Sequence, residues 1–207
     1  MATTEQLAPG GVLIFGGTGT IGKYITGAIL SAQPPVAQQV SIFTSPATAS
    51  DPTKQDQLSA WKAQGLRVIE GDLRDAAQVT KAYEGIDTVV SALGRDTLLE
   101  QIELLKLAEA EGSSVRWFFP SEYGTDVEYD ASSAVEKPHQ NKLAVRAFIR
   151  ENLRKIKTTH VVTGPYIDMF FRLKAGAEAA GGFDIESKRA VVIGDGNGPV
   201  GFTSMPE

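Results

Sequence analysis

Two basic residues on one predicted helix are the first candidates for chemistry. The segment Glu136–Arg146 reads EKPHQNKLAVR, in which Lys142 and Arg146 lie four residues apart. Residues at this spacing share one face of a helix, where two cations repel each other unless an anion lies near them. A lysine that is crowded by a cation and partly buried has a lowered pKa and transfers protons near neutral pH. Lys142 is therefore a candidate general acid or base.

The spacing by itself also allows a second interpretation of this pair. A solvent-facing basic pair on an amphipathic helix has the same pattern. Position 138, one helical turn before Lys142, is a proline, so a tyrosine–lysine pair at that spacing is not expected. Pro138 lies near the predicted start of the helix, where its missing N–H costs little. The interpretation of Lys142 therefore depends on which other residues belong to the same site.

The strongest pattern in the sequence is a glycine-rich turn near the N-terminus. The segment Val12–Ile25 reads VLIFGGTGTIGKYI, and its glycines fit the spacing G-x-G-x-x-G. The turn follows a predicted strand and opens a predicted helix, where glycines let backbone N–H groups approach a pyrophosphate beside the positive helix end. A turn that only packs a strand on a helix fits this context less well. The predicted cofactor contacts are Gly16, Thr18, Gly19, Thr20, Ile21 and Gly22.

The end of the second predicted strand favours a phosphorylated cofactor. The segment SIFTSPATASD has no acidic residue before Asp51, so it offers no carboxylate to the ribose 2′-OH of NAD. Thr44 ends this strand and Lys54 follows nearby, and a hydroxyl and a lysine accept a 2′-phosphate that a carboxylate would repel. The sequence therefore predicts NADP(H), with Thr44 and Lys54 as contacts. The alternative for Lys54 is a solvated lysine in the first turn of a helix.

Small and polar residues follow the later strands, at the edge of the sheet where ligands bind in open α/β proteins. Further predicted cofactor contacts are Ser91, Ala92, Leu93 and Arg146, and the predicted substrate contacts are Ser121, Tyr123 and Tyr166. Arg146 has a second candidate role, which is to hold Lys142 in place. Turn chemistry and core packing are the alternatives for the serines and tyrosines.

These segments lie in an alternation of apolar strands and helical stretches. Strands are predicted at 12–15, 39–44, 66–72, 86–94 and 157–164, and 114–124 is predicted as a strand that runs into a loop. Helices are predicted at 20–32, 54–65, 75–85, 96–112 and 136–152. This alternation predicts an α/β protein with a Rossmann-type, doubly wound parallel sheet. It weakens after Gly164, where only one short strand is predicted. We expect a mobile tail at 1–10, an NADP-binding Rossmann domain at 11–164 and the start of a truncated substrate-binding segment at 165–207.

The composition excludes several classes of function. The net charge of −5 over 207 residues argues against broad nucleic-acid binding, which needs a basic surface. The sequence has no cysteine, and its two histidines, His139 and His160, lie far apart, so no metal site is expected. No apolar run reaches the length of a membrane span, and no signal-peptide pattern is present. We expect a cytoplasmic protein with a small-molecule substrate, and a homodimer is one candidate assembly.

Five segments, taken in order, resemble one known family. GGTGTIG, EGDLRD, DTVVSALG, RWFFPSEYG and NKLAVRAFI resemble the isoflavone reductase-like branch of the atypical short-chain dehydrogenases, which belongs with the NmrA-like proteins. The resemblance covers residues 11 to 203, and PSEYG is its most family-specific segment. Members of this family continue with further strands and helices, which is the basis for the expected truncation.

The resemblance implies NADPH-dependent reduction of a small secondary metabolite, aromatic or of the enone or quinone type. It implies that the catalytic lysine lies in a K-x-x-V-R pattern, here Lys142 to Arg146, and that no tyrosine is needed at position 138. Hydride would come from the nicotinamide and the proton from Lys142. Many relatives have an arginine where this chain has Thr44. Two alternatives stay open: an NmrA-like NADP-sensing module without turnover, and a non-redox isomerase or lyase on the same scaffold.

Overall fold

Six parallel strands form the central sheet of this computed structural model, which describes residues 10–170, 181–192 and 194–206. The strands are β1 (Gly11–Phe15), β2 (Gln39–Thr44), β3 (Arg67–Glu70), β4 (Ile86–Ser91), β5 (Trp117–Phe119) and β6 (Lys157–Thr158). Their order across the sheet is β3-β2-β1-β4-β5-β6, and every neighbouring pair is parallel. This is the strand order of a doubly wound Rossmann-type sheet, so the predicted fold class is confirmed.

The central strands are apolar throughout because both faces of the sheet are covered. All five residues of β1 are buried, and Leu13 and Ile14 expose no surface. Val89 of β4 is equally buried. A parallel strand with helices on both faces buries both sets of alternate side chains, which is why this strand does not alternate between apolar and polar residues.

The described helices alternate with the strands of the sheet. They are α1 (Gly22–Ser31), α2 (Pro46–Ala49), α3 (Gln55–Ala63), α4 (Ala76–Ala82), α5 (Gln101–Glu109), α6 (Lys137–Asn152) and α7 (Ile167–Phe170), with short 3₁₀ helices at Pro52–Lys54, Arg95–Glu100 and Ala131–Val135. Asp75 caps α4 as expected, because its carboxylate accepts hydrogen bonds from the N–H groups of Ala77 and Gln78. Pro138 is the second residue of α6, where the helix needs no N–H donor.

Several predicted boundaries were wrong, and for two of them the backbone shows why. Helix α1 begins at Gly22 rather than at residue 20, because the N–H of Gly19 donates to the Gly16 carbonyl at 2.9 Å and extends the turn. The sixth strand was predicted over 157–164, but β6 ends at Thr158. Its partner β5 is also short, with three residues, since it is followed by Pro120, which has no N–H to donate to a neighbouring strand.

The described chain packs as two units. The first contains the described residues up to Glu122 together with Val127–Val161, and the second contains Tyr123–Asp126 and the described residues from Val162 onward. In the second unit β7 (Gly182–Asp184) pairs antiparallel with β8 (Arg189–Val191), so this region has two strands where one was predicted. The predicted tail lies outside the described residues except for residue 10. The roles assigned to the segments of the chain stay predictions.

Candidate cofactor and proton-transfer site

The glycine turn is shaped by contacts that leave no room for side chains. Gly16 has a φ of +73°, a conformation that glycine adopts without strain. A Cβ atom added to Gly16 would lie 2.4 Å from the carbonyl oxygen of Ala92, and one added to Gly22 would lie 2.0 Å from that of Gly16. Helix α1 therefore begins directly against the end of β1, and the segment after β4 lies against the turn.

Backbone donors at this turn are available to an anion. Within the described part of the chain, the N–H groups of Thr18, Thr20 and Ile21 donate to no protein acceptor, whereas that of Gly19 is used inside the turn. These donors precede α1, whose N-terminus carries a partial positive charge. Free N–H groups at the start of a helix are the arrangement that binds phosphate groups in Rossmann-type proteins.

Lys54 reaches the glycine turn from the loop after β2. Its Nζ lies 3.3 Å from Thr18 Oγ1. The 3₁₀ turn that carries Lys54 is capped by Asp51, whose carboxylate accepts from the N–H of Thr53 at 2.9 Å. Thr44 lies half-buried at the end of β2. Two predicted cofactor contacts that are far apart in the sequence, Thr18 and Lys54, therefore lie together.

The end of β4 lies beside the same turn. The N–H of Ala92 donates to the Phe15 carbonyl at 2.8 Å. Ser91 is fully buried, and its hydroxyl is the one buried side-chain polar atom without a hydrogen-bond partner among the described residues. The Leu93 carbonyl accepts from the hydroxyl of Ser121 at 2.8 Å. Ser121, predicted as a substrate contact, thus uses its hydroxyl to join the segment after β5 to the segment after β4.

Lys142 lies in the first half of α6 and points its ammonium group at the segment after β5. Its Nζ donates to the carbonyl oxygen of Glu122. Burial lowers the pKa of Lys142, the Glu122 carboxylate raises it, and the guanidinium groups of Arg146 and Arg95 lower it, so that the net shift is downward. This environment agrees with the lowered pKa expected from the sequence, and the catalytic role of Lys142 stays a prediction.

Arg146 was predicted to contact the cofactor, but the structure gives its guanidinium group other partners. Nε and Nη2 donate to the two carboxylate oxygens of Glu122 at 2.8 and 3.1 Å, and Nη1 donates to Glu128 at 2.9 Å. The Arg146 side chain is only 7% exposed, and a buried guanidinium group requires such partners. The Glu122 carboxylate therefore supplies an anion beside Lys142 and Arg146, and the contact of Arg146 with a cofactor stays a prediction.

Sequence reasoning missed two of the residues at the centre of this cluster. The Glu122 carboxylate is buried beside Arg146, and Nδ1 of His160 lies 3.2 Å from its Oε1 atom. Burial raises the pKa of Glu122, but the hydrogen bonds from His160 and Arg146 lower it below its ordinary range. The available signal was topological, because both residues follow neighbouring strands at one edge of the sheet.

Tyr123 and Tyr166, the other predicted substrate contacts, belong to the second unit. Tyr123 has a φ of +27°, which is uncommon for a residue with a side chain. Tyr166 is buried and forms an isolated β-bridge with Thr203. Their contact with a substrate stays a prediction.

Two further features are absent from the described residues. These residues contain no group of three side chains that could hold a metal ion. They likewise contain no helix that is long and apolar enough to cross a membrane.

The strand order and the glycine turn define the class of this protein, which is that of α/β proteins with a Rossmann-type sheet. Comparison with known families narrows the class. The sequence profile of the NmrA-like family matches residues 10–186, and the chain belongs to this family. The family expected from the sequence is therefore confirmed.

Several reductases are similar to this chain in sequence or structure. The phenylcoumaran benzylic ether reductase Pyrc5 of Pyrus communis is 34% identical over 190 residues, which cover 90% of this chain and 58% of that protein. A crystal structure of isoflavone reductase matches with a TM-score of 0.76 and 26% identity, over 95% of this chain and 62% of that one. A leucoanthocyanidin reductase–NADPH complex from Vitis vinifera matches with a TM-score of 0.70 and 25% identity, over 95% and 61%. The chain thus spans less than two thirds of the length of each.

Proposed function

We propose that this chain binds NADP(H) and acts as a reductase of a small secondary metabolite, aromatic or of the enone or quinone type. The observation that carries the proposal is the position of Lys142. Its half-buried ammonium group bonds to Glu122, the neighbouring Ser121 bonds to Leu93, and the segment before Leu93 lies against the glycine turn. The names of the similar proteins support the reaction class, and the leucoanthocyanidin reductase complex supports the cofactor.

The residues of the glycine turn fit a dinucleotide phosphate. The space beside Gly16 and Gly22 is too narrow for any Cβ atom, and the turn offers the N–H groups of Thr18, Thr20 and Ile21, which have no acceptor among the described residues. These groups would hold the pyrophosphate. Lys54, beside Thr18, would hold the 2′-phosphate that distinguishes NADP from NAD.

The chain's own part in the reaction is the handling of one proton. The cofactor supplies a hydride when it is bound. As negative charge develops on the substrate oxygen, the Lys142 ammonium group stabilises it and donates its proton, which solvent then restores. The Glu122 carbonyl orients the ammonium group, and the lowered pKa of Lys142 makes the proton easier to give up.

The test is a comparison of turnover and binding in a Lys142→Met variant. NADPH consumption against a panel of quinones and enones should fall about 100-fold or more, because a general acid contributes at least that factor. NADPH affinity, measured by fluorescence titration, should be unchanged. Lys137→Met, at an exposed position of the same helix, is the matched control and should retain activity.

Two results would contradict the proposal. Equal NADPH consumption by the wild type and Lys142→Met would remove Lys142 from the mechanism. Tight binding of NADPH with no turnover of any substrate by the wild type would favour the NADP-sensing alternative.

A further inference from the structure

A buried carboxylate lies at the centre of the Lys142 site. The Glu122 side chain is 2% exposed and that of Arg146 is 7% exposed. Two parallel N–H donors of Arg146 bond to the two oxygens of Glu122, a fork-to-fork geometry that fixes both groups. His160 Nδ1 adds a third contact at 3.2 Å, and it donates because an ionised carboxylate only accepts. The position of the Glu122 side chain is therefore strongly determined.

The backbone of the same residue holds Lys142. The Glu122 carbonyl accepts from Lys142 Nζ, and its N–H donates to the Pro120 carbonyl at 2.8 Å. The next residue, Tyr123, has a φ of +27°. Sparsely populated backbone conformations persist where surrounding contacts over-determine them. The ion pair with Arg146 is such a contact, since it fixes the residue immediately before Tyr123.

We propose that Glu122 is the positioning residue for Lys142. Its carboxylate, held by Arg146, fixes the turn whose carbonyl orients the Lys142 ammonium group, and its negative charge opposes the positive charge of the neighbouring Arg146. The inference rests on the proposed function and adds to it a residue that controls the proton donor without touching the substrate.

The charges around Lys142 make the inference testable. Arg146 follows Lys142 by one turn of α6 and lowers the pKa of Lys142. Arg95, at the start of the 3₁₀ helix after β4, lowers this pKa as well. The Glu122 carboxylate opposes both cations and raises the pKa. His160 and Glu128 act on the same cluster through Glu122 and Arg146. Removing the negative charge of Glu122 should lower the pKa of Lys142 further, because burial and the two cations remain.

Pulse labelling of lysines with acetic anhydride over a pH series, read by peptide mass spectrometry, reports the titration midpoint of Lys142 without requiring turnover. In Glu122→Gln we expect this midpoint to move to lower pH. The alkaline limb of the kcat profile should move in the same direction, because turnover requires the protonated lysine. At a pH above the midpoint, we expect kcat to fall by up to about tenfold for each pH unit that the midpoint moves, with the KM for NADPH unchanged.

Two variants serve as controls. Glu122→Asp keeps the charge, so the midpoint should lie closer to the wild type than in Glu122→Gln and turnover should partly recover. Glu128→Gln makes the same acid-to-amide change on the other side of Arg146, and it should move the midpoint less than Glu122→Gln does. Thermal unfolding of each variant shows whether it is folded, and Glu122→Asp carries the test if Glu122→Gln is not.

The outcomes separate this inference from the proposed function. If Glu122 has only a structural role, its loss exposes Lys142, and the midpoint rises toward that of an ordinary surface lysine, which overturns the inference. An unchanged midpoint overturns it as well. If the midpoint falls in Glu122→Gln while Lys142→Met leaves turnover intact, the positioning by Glu122 stands and the proposed catalytic role fails.

Discussion

At the scale of single residues, the properties of two lysines come from the groups around them. Lys142 is half-buried, bonded to a carbonyl group and placed near two guanidinium groups and one carboxylate, so its pKa is lowered. Lys54 contacts Thr18 at the glycine turn, although it lies 36 residues further along the chain. One lysine is thus suited to giving up a proton, and the other to binding an anion.

The position of Lys54 predicts which cofactor it affects. We expect Lys54→Ala to weaken NADPH binding about tenfold or more, because a hydrogen bond to a charged group contributes about 1.5–3 kcal/mol. NADH has no 2′-phosphate, so its affinity should hardly change. Fluorescence titration with both cofactors measures the ratio of NADPH affinity to NADH affinity in the wild type and the variant.

The matched control for this experiment is Lys62→Ala, an exposed lysine in α3. It should bind both cofactors like the wild type. An equal loss of NADPH and NADH affinity in Lys54→Ala would show that Lys54 does not contact the 2′-phosphate.

At the scale of elements, the connection from β1 to α1 determines the shape of the candidate phosphate site. Helix α1 starts so close to β1 that a Cβ atom on Gly22 would lie 2.0 Å from the carbonyl oxygen of Gly16. Thr26, fully buried in α1, donates from Oγ1 to the Gly17 carbonyl at 3.1 Å and holds the helix against the turn. The tight connection from β1 to α1 therefore produces both the close packing at the glycines and the backbone N–H groups that are available to a phosphate.

Two glycines of α1 should respond in opposite ways to alanine. Gly22→Ala should lower the free energy of unfolding by roughly 1–3 kcal/mol, because the added methyl group would lie 2.0 Å from a carbonyl oxygen. Gly27 has no atom of the described residues within 4 Å of its Cβ position, so Gly27→Ala should raise that free energy by about 0.5–1 kcal/mol. Urea denaturation measures both values. A stable Gly22→Ala that binds NADPH normally would contradict the geometry described for the turn.

At the scale of the whole molecule, buried or half-buried carboxylates connect distant segments of the first unit. Asp87 accepts from the N–H of Gly10 at 2.7 Å and from Arg116 at 3.2 Å. Glu109 accepts from three consecutive backbone N–H groups, those of residues 154–156. The net pKa shift of Asp87, Glu109 and Glu122 is downward, since their hydrogen bonds outweigh the effect of burial.

These shifts predict loss of stability in acid. A carboxylate whose pKa is lower in the folded state stabilises that state at neutral pH, and this contribution disappears as the pH falls through the folded pKa. We expect the free energy of unfolding to decrease as the pH falls below about 4, where carboxyl groups become protonated. Glu109→Gln should lower the free energy of unfolding most at pH 7 and less at pH 3, as measured by urea denaturation at both pH values. If this loss of free energy did not change with pH, the charge of Glu109 would not contribute to the stability.

The local features of the fold could be predicted from the sequence alone. The β–α alternation, the glycine turn and the Asp75 cap each depend on residues within one or two turns of the chain, so residue type and spacing were enough to recognise them. The error at the end of β6 has a different origin, because that end depends on Pro120 after the partner strand, which is not adjacent to β6 in the sequence.

Only the tertiary structure decided how the functional side chains are paired. Residue spacing predicted Arg146 as a cofactor contact or as a partner of Lys142, but it did not indicate Glu122. The structure pairs Arg146 with Glu122, 24 residues away, and His160 joins the same carboxylate from 38 residues away. These contacts exist because β5 and β6 are neighbours in the sheet, and because Val145 and Ile149 of α6 belong to the same buried apolar cluster as Phe118 of β5. The sequence by itself thus determined the class of fold and the candidate proton donor. The buried charge that accompanies this donor depends on long-range packing, which residue spacing does not encode.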